Sequence, residues 1–192
     1  MVTIREEKIA DVAAREGLLD EAYGAARFAK TSERLREGRL PADGLSLVAV
    51  ARGRLVGTVR LWNVTAGPGR DALLLGPLAV HPEHRNRGIG SALIDRVIAR
   101  ARLAGHQAIV LVGDAPYYGR FGFSSGSTGD LWMPGPFDCQ RLLALELKPG
   151  ALAGARGMIG AAGRLVPAPD LATLVAQDRR AERARTRRAR AA

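Results

Sequence analysis

Two hydrophobic rhythms run along the chain. Residues 2–5 alternate apolar and polar side chains, as a half-buried strand does. Asp11, a good helix cap, precedes Val12, Leu18, Leu19 and Tyr23, which fall near one helical stripe. A second amphipathic piece covers 31–37, and Arg27, Lys30, Arg34 and Arg36 read as a solvated helix face across this region. Pro41-Ala42-Asp43-Gly44 is a turn. Residues 45–51, 55–64 and 72–80 read as three strands joined by the turns 52–54 and 66–70, an antiparallel meander with Trp62 in its core or on a cleft wall. Leu93, Ile94, Val97, Ile98 and Ala101 then recur at helical spacing until Gly105.

Residues 108–112 are continuously apolar, as in a strand buried on both faces. A crossover helix precedes them, so this strand should run parallel to 72–80. Ser, Gly and Pro crowd 124–138, which reads as a long loop; 142–147 reads as a last strand, and 150–163 as small and flexible. After Pro167-Ala168-Pro169, Asp170 can cap a short helix to 175.

Chemistry concentrates between 73 and 105, where a strand, a basic glycine turn and a helix start follow one another. The first turn of a helix has amides without intrahelical partners and a positive dipole end. Gly88 and Gly90 lack the Cβ that would hold a phosphate away, and Arg85 and Arg87 add charge. No Gly-Lys-Ser/Thr triplet follows, against a nucleotide P-loop. The dinucleotide fingerprint wants glycine where Leu93 stands, and wants the turn directly behind its strand, whereas 81–87 intervene. An ordinary strand–helix turn would use the same glycines for tight packing.

Arg85-Asn86-Arg87-Gly88-Ile89-Gly90, behind Leu78-Ala79-Val80-His81-Pro82, resembles the acetyl-CoA signature of the Gcn5-related N-acetyltransferase (GNAT) superfamily. A second segment in the right order strengthens this: Gly113-Asp114-Ala115-Pro116-Tyr117-Tyr118 and then Gly119-Arg120-Phe121-Gly122-Phe123, similar to the YhbS-like branch. The likeness covers roughly residues 2–148 and is specific between 73 and 147. It implies an α/β (α+β) GNAT fold: a mixed, mostly antiparallel sheet, splayed between its two central parallel strands and flanked by helices. It implies a domain over 1–148, leaving 149–192 as a Gly/Ala-rich linker and an Arg-rich tail.

The resemblance further implies acetyl-CoA as cosubstrate, no metal, and an amine acceptor on a small molecule or protein. The backbone of Leu78, Ala79 and Val80 would pair with the pantetheine arm, and Arg85, Asn86, Arg87, Gly88, Ile89, Gly90 and Ser91 would wrap the pyrophosphate. Tyr118 aligns with the family's general acid, with Tyr117 beside it as the substitute. A thiol ionises at about 8.5 and a phenol at about 10, which makes protonation of the leaving thiolate feasible. The family's glutamate base on the strand before the turn has no counterpart, because 73–80 carries no carboxylate. Glu83, His81, His84, Asp114 and solvent remain as routes for the amine's proton. Acceptor choice would lie in 20–40 and 124–138.

Composition narrows the setting. At 192 residues, 47% hydrophobic and 25% charged, the chain suits one globular domain with a tail. No apolar run reaches the length of a membrane span, and 1–11 lacks a secretory pattern. Cys139 is single, so no disulfide framework is expected; it reads as a small buried hydrophobe in a reducing cytoplasm. Residues 179–190 hold seven arginines against one acid, which accounts for much of the +10 net charge. No aromatic is interleaved to stack on bases, so a solubilising tail is favoured over a nucleic-acid arm. The other reading is a non-catalytic acyl-CoA-binding regulatory module whose basic tail contacts nucleic acid or a partner protein; a homodimer stays open.

Overall fold

Period-two burial in successive strands builds the sheet. The computed structural model describes residues 1–167. Strands β1 (Val2–Glu6), β2 (Ser46–Ala51), β3 (Arg54–Ala66) and β4 (Asp71–Val80) form the antiparallel meander. Helix α1 (Val12–Tyr23) lies between β1 and β2, and α2 (Ile89–Leu103) follows β4. Strand β5 (Ala108–Val112), short helix α3 (Ala115–Gly119), the two-residue strand β6 (Leu131–Trp132), β7 (Leu142–Glu146) and β8 (Gly157–Ala161) complete the fold. The sheet order is β1-β2-β3-β4-β5-β7, with β8 pairing both β3 and β6.

Alternation decides which face each residue serves. Leu73 and Leu75 of β4 pack with Leu93, Ile94 and Val97 of α2, whereas Ala72 and Leu74 face a second core with Trp62, Val110 and Ile159. Ile109 and Leu111 join the first core, Ala108 and Val110 the second, so β5 is covered on both faces. Each fully buried leucine contributes about 1.5–3 kcal/mol. Further along β4, Leu78 and Val80 lean on the α2 side and Ala79 on Leu18 and Leu19 of α1.

The expected parallel pair is present and short: β4 and β5 are in register only at Leu73↔Ile109 and Leu74↔Val110. From Gly76 onward β4 follows β3 alone, after a register shift between Val59 and Leu61. Trp62 is a core residue whose indole N–H donates to Gly76 O at 2.6 Å, fastening the diverging strand from below.

Several expectations are corrected. The piece at 31–37 is a 3-10 turn, Thr31–Leu35, preceded by another, Ala25–Ala29, because Gly24 ends α1 at a φ of 63°. The 124–138 loop contains β6. The 150–163 segment is not flexible: β8 pairs Val64↔Ala161 and Ala66↔Ile159, and Leu152, Ala155 and Ile159 are buried. Beyond β8, Arg164 O accepts from Leu40 N at 2.7 Å and Val166 N donates to Gly38 O at 2.8 Å, tying the chain to the segment after the 3-10 turns. Cys139 is exposed, because it starts a short surface turn capped by Asp138. The helix expected to 175 and the Arg-rich stretch lie outside the described residues. Among the described residues no helix is long and apolar enough to cross a membrane.

Candidate active site

The bend from β4 into α2 needs two left-handed residues. Asn86 takes φ 58° and Gly88 φ 74°, conformations open to a short polar side chain or to none. Gly88 caps α2, so the amides of Ile89, Gly90 and Ser91 precede any intrahelical acceptor and face outward. They rim an open hollow of about 460 Å³, with Val80, Arg85, Asn86, Tyr117 and Arg120 on its walls. A Cβ on Gly90 would stand 2.9 Å from the Tyr117 hydroxyl, so glycine there keeps the floor open. Arg85 is steadied by donating to Val80 O at 3.2 Å. Arg87 is placed elsewhere, in a neighbouring hollow with His81, Glu83 and Arg54. Arg120 escaped the sequence reading; it stacks over the Tyr117 ring at 4.5 Å and donates to Tyr117 O at 3.2 Å. Its spacing of three from Tyr117 was the available signal.

Helix α3 aims the two tyrosines in different directions. Asp114 caps it, accepting from Tyr117 N at 3.3 Å, which commits this carboxylate to the backbone. Tyr117 turns to the glycine hollow, while Tyr118 lines a smaller cavity of about 110 Å³ on the other side of the β4 end. The Cδ2–Cε2 side of the Tyr118 ring lies against Gly113, and the ring meets Tyr117 and Phe123 edge-on, with centroids 5.0 Å and 5.9 Å away. Burial pushes its phenol well above the ordinary value, and the neighbouring tyrosines add to this. The comparison of free thiol and free phenol therefore understates how tightly Tyr118 keeps its proton.

Tyr23, Lys30, Ser32, Glu33, Arg36 and the β4 residues 74–78 close the cavity around Tyr118. Among its lining residues Glu33 is the only carboxylate; it is paired with Arg36 at 2.7 Å. Arg36 is 8% exposed, and burial lowers its pKa. So Arg36, expected on a solvated face, is buried in a cavity wall, while Lys30 lines the same cavity and stays exposed, with Arg27 beside it. The Tyr23 hydroxyl donates to Leu78 O, and burial raises its pKa. Of the sequence-derived bases, none lines this cavity. His81 is 3.6 Å from Glu21 and accepts from Glu83 N, on the outer side of the strand end. Glu33 gave no sequence signal beyond being one acid in a polar stretch.

Leu78 thus lines one hollow and Val80 the other, and the end of β4, paired with β3 but not with β5, bridges them. A long ligand lying along that strand end would have an anionic group at the glycine bend and its other end beside Tyr118.

Known sequences and structures resemble this chain over most of its length. The N-acetyltransferase YjhQ of Escherichia coli (strain K12) is 33% identical over 143 residues, 69% of this chain and 78% of YjhQ. The crystal structure of the GNAT family N-acetyltransferase YhbS of Escherichia coli in complex with CoA superposes with a TM-score of 0.71 at 28% identity, covering 84% of this chain and 89% of that one. A GNAT family acetyltransferase from Brucella melitensis in complex with acetyl-CoA gives a TM-score of 0.61 at 26% identity, covering 90% and 97%. The acetyltransferase (GNAT) family matches residues 13–123, more than half of the sequence and both hollows' principal residues, and the chain belongs to that family.

Proposed function

We propose that the protein transfers an acetyl group from acetyl-CoA to an amine, with Tyr118 as general acid. The carrying observation is that one cavity joins Tyr118, Glu33 and the splayed end of β4, next to a bend with free helix amides. Acetyl-CoA supplies the activated acyl group. The amides of Ile89, Gly90 and Ser91, with Arg85, Asn86 and Arg120, hold its pyrophosphate. The backbone of Leu78, Ala79 and Val80 lays the pantetheine arm along β4, where β5 has left its edge free. Arg87, facing a separate hollow, contributes charge at longer range.

The amine nitrogen forms the new bond to the thioester carbon and the carbon–sulfur bond breaks. Tyr118 gives its phenolic hydrogen to the departing sulfur, and the ammonium proton leaves toward Glu33, directly or through water. Tyr118 is half-buried and burial keeps its phenol protonated, so the hydrogen is in place when charge develops on sulfur. Arg36 fixes the Glu33 carboxylate at the cavity wall. The free, exposed thiol of Cys139 suits a reducing compartment, the cytoplasm.

Thiol release from acetyl-CoA against a panel of amines tests the reading. Tyr118→Phe should lower kcat about 10²-fold with the acetyl-CoA Kd unchanged, as expected when one proton donor is lost. Tight acetyl-CoA binding by the parent protein with no turnover of any amine would overturn the proposal in favour of a binding module.

A further inference from the structure

The Tyr118 cavity does not end at Lys30. A second hollow of about 340 Å³ shares Lys30, Ser32 and Val112 with it and continues to Arg34 and Arg141. Among the described residues, Lys30, Arg34 and Arg141 have no carboxylate within 4.0 Å, whereas Arg27 and Arg36 nearby are both ion-paired. The two arginines are held toward the groove by main-chain acceptors: Arg34 donates to Pro134 O at 2.8 Å and Arg141 to Gly113 O at 3.4 Å. Lys30 lies over the Tyr23 ring, its ammonium 4.3 Å from the centroid. Three like charges thus line one groove, a setting that favours an anion. Burial together with Arg36 and Arg141 already depresses the Lys30 ammonium.

We infer that the acceptor is a small amine that also carries an anionic group, a carboxylate or a phosphate. The amine sits by Glu33 and Tyr118, and the anion between Lys30, Arg34 and Arg141. This deepens the acetyl-transfer reading and rests on it. Charge at the far end of the groove then selects and orients the acceptor, leaving the reacting nitrogen to the Glu33 end.

Matched amine pairs test it on the purified full chain: β-alanine against propylamine, and phosphoethanolamine against ethanolamine. The anionic member of at least one pair should exceed its neutral partner at least about 10-fold in kcat/KM. The pair with the larger ratio tells carboxylate from phosphate. Arg141→Gln should raise KM for the anionic amine about 10-fold while kcat stays within about twofold, and Arg141→Glu should erase the preference. Neutral amines turned over as well as their anionic partners would overturn this inference and leave acetyl transfer standing. Turnover of neither member, with acetyl-CoA bound, would remove the transfer reading itself.

Discussion

Replacing Gly113 by alanine isolates the placement of Tyr118 from its chemistry. Gly113 follows β5, and its φ lies outside the left-handed region, so alanine meets no backbone penalty there. The obstacle is space. A Cβ would lie 2.3 Å from Cε2 and 2.7 Å from Cδ2 of Tyr118, against 3.4 Å for ordinary contact, and 2.9 Å from Cδ1 of Leu111. Leu111 is 1% exposed within the α2 core, so the tyrosine ring must take the displacement, more than an ångström. Overpacking of this kind costs about 1–3 kcal/mol of stability. Misplacing a reacting group by ~1 Å costs about 10²-fold in rate. Gly113→Ala should therefore lose most of its kcat for thiol release, nearly as much as Tyr118→Phe, while acetyl-CoA Kd stays within a few fold. The double variant should fall no further than the worse single one, since both remove the same hydrogen donor. Stopped assays for kcat and KM, calorimetry for Kd and a thermal melt for folding cover the measurements. A folded Gly113→Ala protein with parental kcat would refute the assignment of Tyr118 to the reacting sulfur.

Gly90→Ala separates stability from cosubstrate binding with opposite signs. Alanine favours a helix over glycine by about 1 kcal/mol, so Tm should hold or rise as the Tyr117 hydroxyl swings aside. Acetyl-CoA affinity should drop at least about 10-fold, because the new methyl stands over the free amides; calorimetry reads this. Asp11 gives a pH prediction. Paired hydrogen bonds from Arg5, at 2.6 Å and 2.8 Å, and the Lys8 amide at 2.7 Å hold its carboxyl down at about 2, from 3.8. This stabilisation is present above the unfolded value and is lost as pH falls from 3.8 toward 2. Arg5 is partly open to water, so screening limits the contribution to about 1 kcal/mol. Urea midpoints should then show Asp11→Asn less stable by that amount at pH 7, with most of the difference gone at pH 2.

The glycine bend was legible because few residue types can make it: two left-handed positions and a bare Cα at Gly90 leave a trace that composition does not blur. Tyr118 was legible through its neighbours, since the Gly-Phe pattern after it marks the short helix. Glu33 was not, because nothing local distinguishes it from the other acids of a polar stretch; only the return of 31–36 against β4 gives it a cavity to line. Asp114, one of several candidate bases, caps α3 with its carboxylate. Strand β8 hid behind glycine and alanine. Its burial comes from Ile159 and its neighbours Leu152 and Ala155, too sparse to form a rhythm. Cys139 was misjudged because cysteine's average burial outweighed the turn-forming Asp138 just before it.

The opening of the sheet after Leu74 leaves peptide groups of β4 on the lip of the cleft. Peptide groups are the one part of a protein that almost any mutation leaves in place. Kin of this chain can diverge widely along that lip and still accept the same acyl donor. The groove beyond Lys30 has no such insurance, since its charge comes from the side chains of Lys30, Arg34 and Arg141. Descendants of one ancestor are thus free to keep the donor while changing what they modify.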